Sequence, residues 1–287
     1  MRSLRGKRRK ETYSFPPPEV EGLRKNRMDE EQRMRIVILG SGTAMPMADR
    51  AAPGLVLFAE DDPLLFDFGP SVPNRLVKAG ILHTAIKQIF LTHFHPDHTA
   101  GLSHFLFATR NPGILPHRHP FTLAGPSGLT AFVTNLQAAY GGYLDLPADI
   151  MKLVEFDPDG TAPCDFPDSR ISYCRTPHTE NSVAYRIEDH SGRRVVYAGD
   201  TAFSEEVVQL AQSADLLILE ASFPDGHEVP GHLTPSAAGR MATLAGAKRL
   251  LLTHFYPECL RTDIAAQCRK TYQGELILAR DLLTIHL

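Results

Sequence analysis

A dense run of metal-binding residue types limits the folds open to this chain more than anything else in its sequence. Three histidines and one aspartate lie within six positions, directly after an apolar run, in the segment Leu91-Thr92-His93-Phe94-His95-Pro96-Asp97-His98. Because side chains alternate along an extended segment, His93 and His95 point to the same side and can reach one metal ion. Asp97 and His98 follow where the chain is expected to turn into a helix, and they can face a neighbouring ion. A solvated histidine-rich loop is the alternative interpretation.

Further residues of the same types occur wherever a predicted strand meets a loop. They are Asp67, His178, Asp200 and His254. One such residue alone is more often structural than a ligand, so the prediction of a metal site depends on their joint occurrence. Imidazole and carboxylate donors without thiolate suit zinc, manganese or iron.

Short apolar runs separated by glycine and proline predict an alternation of strands and helices. The predicted strands are 36–39, 54–59, 64–68, 87–91, 183–187, 194–198, 216–220 and 250–253. The predicted helices are 73–79, 204–212 and 235–245, the last with Thr234 as N-cap. Residues 105–175 show only a weak helical pattern around 129–140. This alternation favours an α/β sandwich with polar residues gathered at strand ends.

Composition sets the class of protein. At 287 residues, with 43% hydrophobic and 22% charged residues, the chain can bury a core of domain size. No apolar run approaches the roughly 18 residues that a transmembrane helix needs, so we expect no membrane partner. The four cysteines are too widely spaced for a C-x-x-C motif and too few for a disulfide-stapled scaffold. We therefore expect a cytoplasmic protein with reduced thiols.

Residues 1–33 differ from the rest of the chain. The first ten contain six basic residues and no acid, so the net charge of −3 leaves −9 for the remainder. We expect a basic, solvated and disordered extension over 1–33 and one folded domain over 34–287. A nucleic-acid-binding arm is an alternative for the extension, and translation that begins at Met34 is another.

The motif at His93, His95, Asp97 and His98 resembles the H-x-H-x-D-H signature of the metallo-β-lactamase superfamily, and the later motifs follow in the expected order from about Met34 onward. The resemblance implies a four-layer αβ/βα sandwich with a two-metal site along one edge. It implies one zinc ion held by His93, His95 and His178, and a second held by Asp97, His98 and His254. Asp200 would bridge the two ions, and Asp67 would support the site by hydrogen bonding.

Zinc is the expected metal, with manganese or iron left open. The di-iron relatives resemble this chain in outline but usually have a glutamate where His95 stands. Two zinc ions about 3.5–4 Å apart would lower the pKa of a bridging water, orient it for attack and stabilise the developing oxyanion.

Glu220 and His232 point to a branch within the superfamily. They look like the pair found in ribonuclease Z and its relatives, and segments 39–43 and 252–255 are similar to that branch as well. The resemblance implies that His232, oriented by Glu220, protonates the leaving oxygen. With Asp97, these are the expected catalytic residues. An ordinary salt bridge between Glu220 and His232 is the alternative.

The substrate is the open question. Ribonuclease Z grips transfer RNA with a long basic arm, whereas the corresponding segment 156–170 here is short and acidic, which disfavours RNA on an acidic body. We expect a dinuclear zinc phosphodiesterase that acts on a small phosphodiester. An arylsulfatase or another ester, lactone or lactam hydrolase is the enzyme alternative, and a non-catalytic metal-binding module is a third. A homodimer is also open.

Overall fold

The computed structural model describes residues 34–60, 62–157, 163–166 and 169–287. The predicted extension 1–33 and parts of the acidic segment, namely 158–162 and 167–168, lie outside the described residues. The described ranges contain two seven-stranded sheets.

The first sheet is antiparallel at one side and parallel at the other. In spatial order its strands are β14 (Thr284–His286), β1 (Arg35–Gly40), β2 (Gly54–Phe58), β3 (Pro63–Phe66), β4 (Gln88–Phe90), β5 (Phe121–Pro126) and β6 (Met151–Phe156). Strands β3 to β6 run parallel, and Phe66 of β3 is aligned with Phe90 of β4. The carboxyl ends of β3 and β4 therefore meet at one edge, where Asp67 and the histidine run follow.

The second sheet repeats this division. In spatial order its strands are β13 (Glu275–Leu278), β12 (Arg249–Thr253), β11 (Leu216–Glu220), β10 (Arg194–Tyr197), β9 (Val183–Asp189), β8 (Ser169–Arg175) and β7 (Cys164–Phe166). Strands β10 to β13 run parallel, and Glu220 is aligned with Thr253. The ends of β10, β11 and β12 thus bring Asp200, Glu220 and His254 to a common edge.

Eight helices connect these strands within the described residues. They are α1 (Val72–Lys78), α2 (Pro96–Thr99), α3 (Gly101–Thr109), α4 (Leu129–Ala139), α5 (Glu205–Leu210), α6 (Pro235–Leu244), α7 (Pro257–Leu260) and α8 (Ile264–Cys268). The side chains of Ser204 and Thr234 accept hydrogen bonds from Val207 N and Ala237 N, so both act as N-caps. None of these helices is long and apolar enough to cross a bilayer.

The two sheets face each other across a buried apolar core. Tyr185 of β9 lies 5.7 Å, between ring centroids, from both Phe66 and Phe90 of the first sheet. A second apolar cluster lies between the first sheet and helices α1, α3 and α4, while α5 and α6 pack against the second sheet. The layers therefore follow the order αβ/βα, and the predicted four-layer α/β sandwich is confirmed.

The poorly patterned stretch 105–175 contains more regular structure than its sequence predicts. It holds β5, α4, β6 and β8, and β5 is buried between two parallel neighbours. Strand β3 ends two residues earlier than predicted, because Asp67 adopts a left-handed backbone conformation with φ of 55°. That conformation directs the chain away from the sheet at the start of the site.

Candidate metal centre

Turns that follow strands of both sheets bring the expected ligands together at one edge of the sandwich. Their donor atoms form two groups, and within each group the atoms lie within 4.8 Å of one another; a third group of the same kind joins Asp200 and His254 to His232. The first group is His93, His95, His178 and Asp200, and the second is Asp97, His98 and His254. The side chains come from the turn after β4, from α2, and from the segments that follow β8, β10 and β12.

In the first group, two imidazole rings aim ring nitrogens at the same point. Nδ1 of His95 lies 3.1 Å from Nε2 of His178, and this Nε2 is 3.6 Å from Oδ2 of Asp200. The His93 ring is packed against both imidazoles, with centroid distances of 4.7 and 4.9 Å. Four donor groups thus surround one small volume.

The second group lies on the other side of Asp200. Nε2 of His98 and Nε2 of His254 are 3.4 Å apart, and Oδ2 of Asp97 is 3.4 Å from the His254 nitrogen. Oδ1 of Asp200 lies 3.2 Å from Nε2 of His98 and 3.3 Å from Nε2 of His254. The two oxygens of Asp200 therefore face different groups.

Contacts behind the rings determine which nitrogen of each histidine faces the centre. Nδ1 of His98 lies 2.8 Å from the Asp67 carboxylate, and Nδ1 of His178 lies 2.9 Å from the Gly231 carbonyl. Both partners only accept hydrogen bonds, so each Nδ1 carries the proton and each Nε2 faces inward. In His93, Nδ1 contacts the Thr92 hydroxyl at 3.0 Å.

Two polar atoms of the centre lack a hydrogen-bond partner among the described residues. Nε2 of His93 and Oδ1 of Asp200 are buried and have no hydrogen-bond partner among the described residues. A buried polar atom left in this state is costly. The donor set, five imidazoles and two carboxylates without thiolate, is compatible with metal binding.

The electrostatics of the centre favour a cation. Burial alone would lower the pKa of His98, but the carboxylates of Asp200 and Asp67 raise it well above its usual value. Burial would raise the pKa of Asp200, yet His254 and His98 hold it well below its ordinary range. The carboxylates of Asp200 and Asp67 therefore favour a positive charge here. That charge is either a proton on His98 or a metal ion, which would compete with the proton.

Asp67 is fully hydrogen-bonded behind this centre. It is buried and accepts from Thr92 N at 2.8 Å, Thr92 Oγ1 at 2.9 Å and Tyr197 OH at 2.7 Å, besides its contact with His98. The sequence predicted a supporting role for Asp67 but assigned none to Thr92 or Tyr197. The position of Thr92 directly before His93 is the one local signal that could have indicated its supporting role.

Glu220 and His232 form a pair beside the ligand groups. Nδ1 of His232 lies 2.9 and 3.1 Å from the two oxygens of the buried Glu220. Burial lowers the pKa of His232, but the hydrogen bond to Glu220 and its charge outweigh this effect, so the pKa is raised above its usual value. The His232 ring keeps 14% of its side-chain surface exposed.

Ser222 connects this pair to a ligand group, and sequence reasoning missed it. Its hydroxyl donates a short hydrogen bond to Oε2 of Glu220 and lies 2.9 Å from Nδ1 of His254. Since a hydroxyl has one proton, the contact with His254 requires a proton on Nδ1 of that ring. Nε2 of His254 is then free to face the centre. The position of Ser222 two residues after Glu220 was the available signal.

The family model for the β-lactamase superfamily domain matches residues 63–255, which include every expected ligand. The chain belongs to the β-lactamase superfamily. Ribonuclease Z of Salinispora arenicola is 28% identical to this superfamily member, over 87% of this chain and 95% of that protein.

Two solved structures are similar to this superfamily member over nearly all of their length. The metallo-β-lactamase fold protein YhfI from Bacillus subtilis has a TM-score of 0.77 and 25% identity, covering 88% of this chain and 99% of that one. Human tRNase Z, short form, has a TM-score of 0.71 and 27% identity, covering 88% and 98%. The predicted resemblance to the ribonuclease Z-like branch is confirmed, and the chain is a metal-dependent hydrolase of the metallo-β-lactamase fold.

Proposed function

We propose that this superfamily member is a dinuclear zinc phosphodiesterase. The observation that carries the proposal is the His232–Glu220 pair, which lies beside the cluster of expected metal ligands. Nδ1 of His232 is 4.0 Å from Oδ2 of Asp200, so a proton donor and the expected metal ligands face the same space. The names of the relatives, ribonuclease Z and tRNase Z, support the same reaction class.

His93, His95 and His178 would hold one zinc ion, and Asp97, His98 and His254 would hold the other, with Asp200 between them. When bound, two zinc ions supply an activated water and neutralise charge on the phosphoryl oxygens. Burial raises the pKa of Asp97, but the hydrogen bond and charge of His254, with the charge of His98, lower it below its usual value. Asp97 therefore stays ionised as a ligand.

The chain's own residues handle the leaving group. Water attacks phosphorus, the bond from phosphorus to the leaving oxygen breaks, and that oxygen needs a proton because an alkoxide is a poor leaving group. The His232 ring is held at Nδ1 by Glu220, so Nε2 is the nitrogen that faces substrate and donates. Its raised pKa keeps the imidazolium populated near neutral pH.

A small phosphodiester is the proposed substrate, with RNA disfavoured. The acidic segment carries Asp157 and Asp165, the latter paired with Arg170 at 2.9 Å, while Asp159 and Asp168 lie outside the described residues. A body of charge −9 repels a long phosphate backbone more than one phosphodiester. We further propose that the protein is cytoplasmic, where its four free cysteines stay reduced.

The test compares two leaving groups. Thymidylyl-thymidine expels an alkoxide, whereas the p-nitrophenyl ester of thymidine 5′-phosphate expels a stable phenolate. In His232→Ala we expect kcat for thymidylyl-thymidine to fall by about 10²–10⁴-fold, with a much smaller loss for the nitrophenyl ester. His117→Ala, a change at an exposed histidine before β5, should leave both rates unchanged.

Equal losses on both substrates in His232→Ala would contradict proton donation to the leaving group. Turnover of p-nitrophenyl sulfate but of neither phosphodiester would instead favour a sulfatase. Turnover of no ester with zinc, manganese or iron would favour a metal-binding module.

A further inference from the structure

A cavity of about 450 Å³ opens beside the metal centre, between the segment 43–52 and helix α1. Asp97, one of the expected ligands, forms part of its wall. A molecule held at the metal centre would therefore extend directly into this space. The volume falls within the range of small-molecule sites, roughly 300–1,000 Å³.

The walls of the cavity are fixed by close contacts. At Gly69, just before α1, a Cβ atom would lie 2.6 Å from the backbone oxygen of Asp97, so only glycine allows α1 to start this close to the metal turn. Asp281 accepts hydrogen bonds from Ser41 N at 3.0 Å and Ala51 N at 2.8 Å. It thereby anchors both ends of the segment that forms the opposite wall.

Three basic side chains line the cavity, and only one of them is neutralised by an acid. Arg75 forms an ion pair with Asp281 at 2.8 Å. Arg50 donates to the Ser41 hydroxyl at 2.7 Å and to the Ala279 carbonyl at 2.8 Å, which are both uncharged. Within the part of the chain that the structure describes, Lys78 makes no hydrogen bond or ion pair, and Arg50 makes no ion pair. On an acidic body, this leaves two positive charges without an acidic partner in the wall of the cavity.

We propose that this cavity binds a second anionic group of the substrate, and that the preferred substrate is a phosphodiester that also carries a terminal phosphate. The inference rests on the proposed phosphodiesterase function and narrows its substrate class. Lys78 is the principal contact, since a free ammonium group is a compact donor for phosphate oxygens. Arg50 contributes charge from a fixed position.

The experiment compares thymidylyl-thymidine with the same dinucleotide phosphorylated at its 5′ or its 3′ end. In the wild-type protein we expect at least one phosphorylated form to show a KM about tenfold lower than the unphosphorylated one, since a hydrogen bond to a charged group is worth that factor or more. Lys78→Ala should remove this preference, so that the KM values of the phosphorylated forms rise to that of thymidylyl-thymidine. Lys78→Arg should retain most of it.

Lys152→Ala is the matched control, because Lys152 is an exposed lysine on β6, away from the cavity. Thermal unfolding of each variant checks that the fold is intact. Equal KM values for all three dinucleotides in the wild-type protein, or an unchanged preference in Lys78→Ala, would overturn the inference.

A binding measurement distinguishes failure of this inference from failure of the proposed function. Calorimetric titration of the three dinucleotides into His232→Ala measures affinity without dependence on turnover. Tighter binding of a phosphorylated form, lost in the double variant with Lys78→Ala, supports the cavity even if no dinucleotide is hydrolysed. Hydrolysis of all three with equal affinities supports the phosphodiesterase and rejects the cavity as an anion site.

Discussion

The two ends of strand β10 each adjoin a buried aspartate, and the two carboxylates are used differently. Asp189, the last residue of β9, begins the turn that leads into β10 and accepts from Ser191 N, Ser191 Oγ, Arg193 N and Arg193 Nε at 2.7–2.9 Å. Asp200, after the strand, is surrounded by histidines from three other segments, and its Oδ1 has no hydrogen-bond partner among the described residues. All hydrogen-bond partners of Asp189 lie within its own turn, whereas Asp200 keeps a buried oxygen that a bound cation would satisfy.

This contrast explains why one aspartate is structural and the other is proposed as a ligand. All donors to Asp189 lie within four residues of it, so the turn forms as soon as the hairpin does. The neighbours of Asp200 come from residues far away along the chain, and they meet only when both sheets are packed together. The predictions below separate the roles of the two carboxylates, in decreasing order of effect.

Asp200→Asn should show the largest effect. The substitution removes the group proposed to lie between the two ions, and loss of even an outer partner of a metal ligand reduces activity by about 10–100-fold. We therefore expect kcat/KM to fall by more than about a hundredfold. Asp189→Asn should keep its activity and lower Tm instead, as phosphodiesterase assays and thermal unfolding would show. Full activity in Asp200→Asn would remove the distinction between the two turns.

Metal removal should have a comparably large effect, on stability as well as on activity. A ligand present at 1,000 times its dissociation constant stabilises a fold by about 4 kcal/mol, which corresponds to roughly 10 °C in Tm for a domain of this size. Dialysis against a chelator should therefore lower Tm by about that amount and abolish activity, and added zinc should restore both. Asp200→Asn should respond much less to the chelator. A chelator-insensitive Tm in the wild-type protein would argue against tightly bound metal.

Ser222→Ala should have an intermediate effect through His254. Loss of the hydroxyl that contacts Nδ1 of His254 should weaken zinc binding by about 10-fold or somewhat more. Competition with a chromophoric chelator measures this change. Ser169→Ala is the matched control, since the Ser169 hydroxyl is buried with no hydrogen-bond partner within the described ranges. Equal zinc affinities in the two variants would show that Ser222 does not orient the ligand.

The smallest expected effect is the contribution of Asp189 to the pH dependence of stability. Burial opposes its ionisation, but hydrogen bonds from Ser191 and Arg193 outweigh burial and lower its pKa below the ordinary value. The stabilisation by the Asp189 carboxylate is therefore fully present above its pKa in the unfolded chain, about 3.9. It is lost as the pH falls through its lower pKa in the folded protein. The difference in Tm between wild type and Asp189→Asn should shrink below about pH 4. A difference that grows on acidification would contradict this role.

Much of the fold follows from local sequence patterns. The runs at 36–39, 216–219 and 250–252 are apolar throughout and are buried in strands of the two sheets. Strands β6 and β8 were harder to predict because they mix exposed and half-buried residues without a clear alternation. Strand β5 was obscured by Gly125 and Pro126, which end a buried strand that the sequence alone presents as a loop.

The candidate site, like the fold, could be predicted from the sequence only in part. The residue types at strand ends predicted His178, Asp200 and His254 as partners of the histidine run, and the structure brings all three to it. Ser222 and Tyr197 could not be predicted, because serine and tyrosine are common and their contacts depend on the separation of strands from different parts of the chain. The register of Glu220 with Thr253 is what brings Ser222 to His254.

The central claim is that seven side chains hold two metal ions, and metal content tests it most directly. The protein is loaded with zinc, dialysed against zinc-free buffer and measured by mass spectrometry of the metal. We predict two ions per chain in the wild-type protein, and one per chain in His178→Ala and in His254→Ala, since each variant disrupts a different group. Fewer than two ions per chain in the wild-type protein, or two ions in both variants, would contradict the claim.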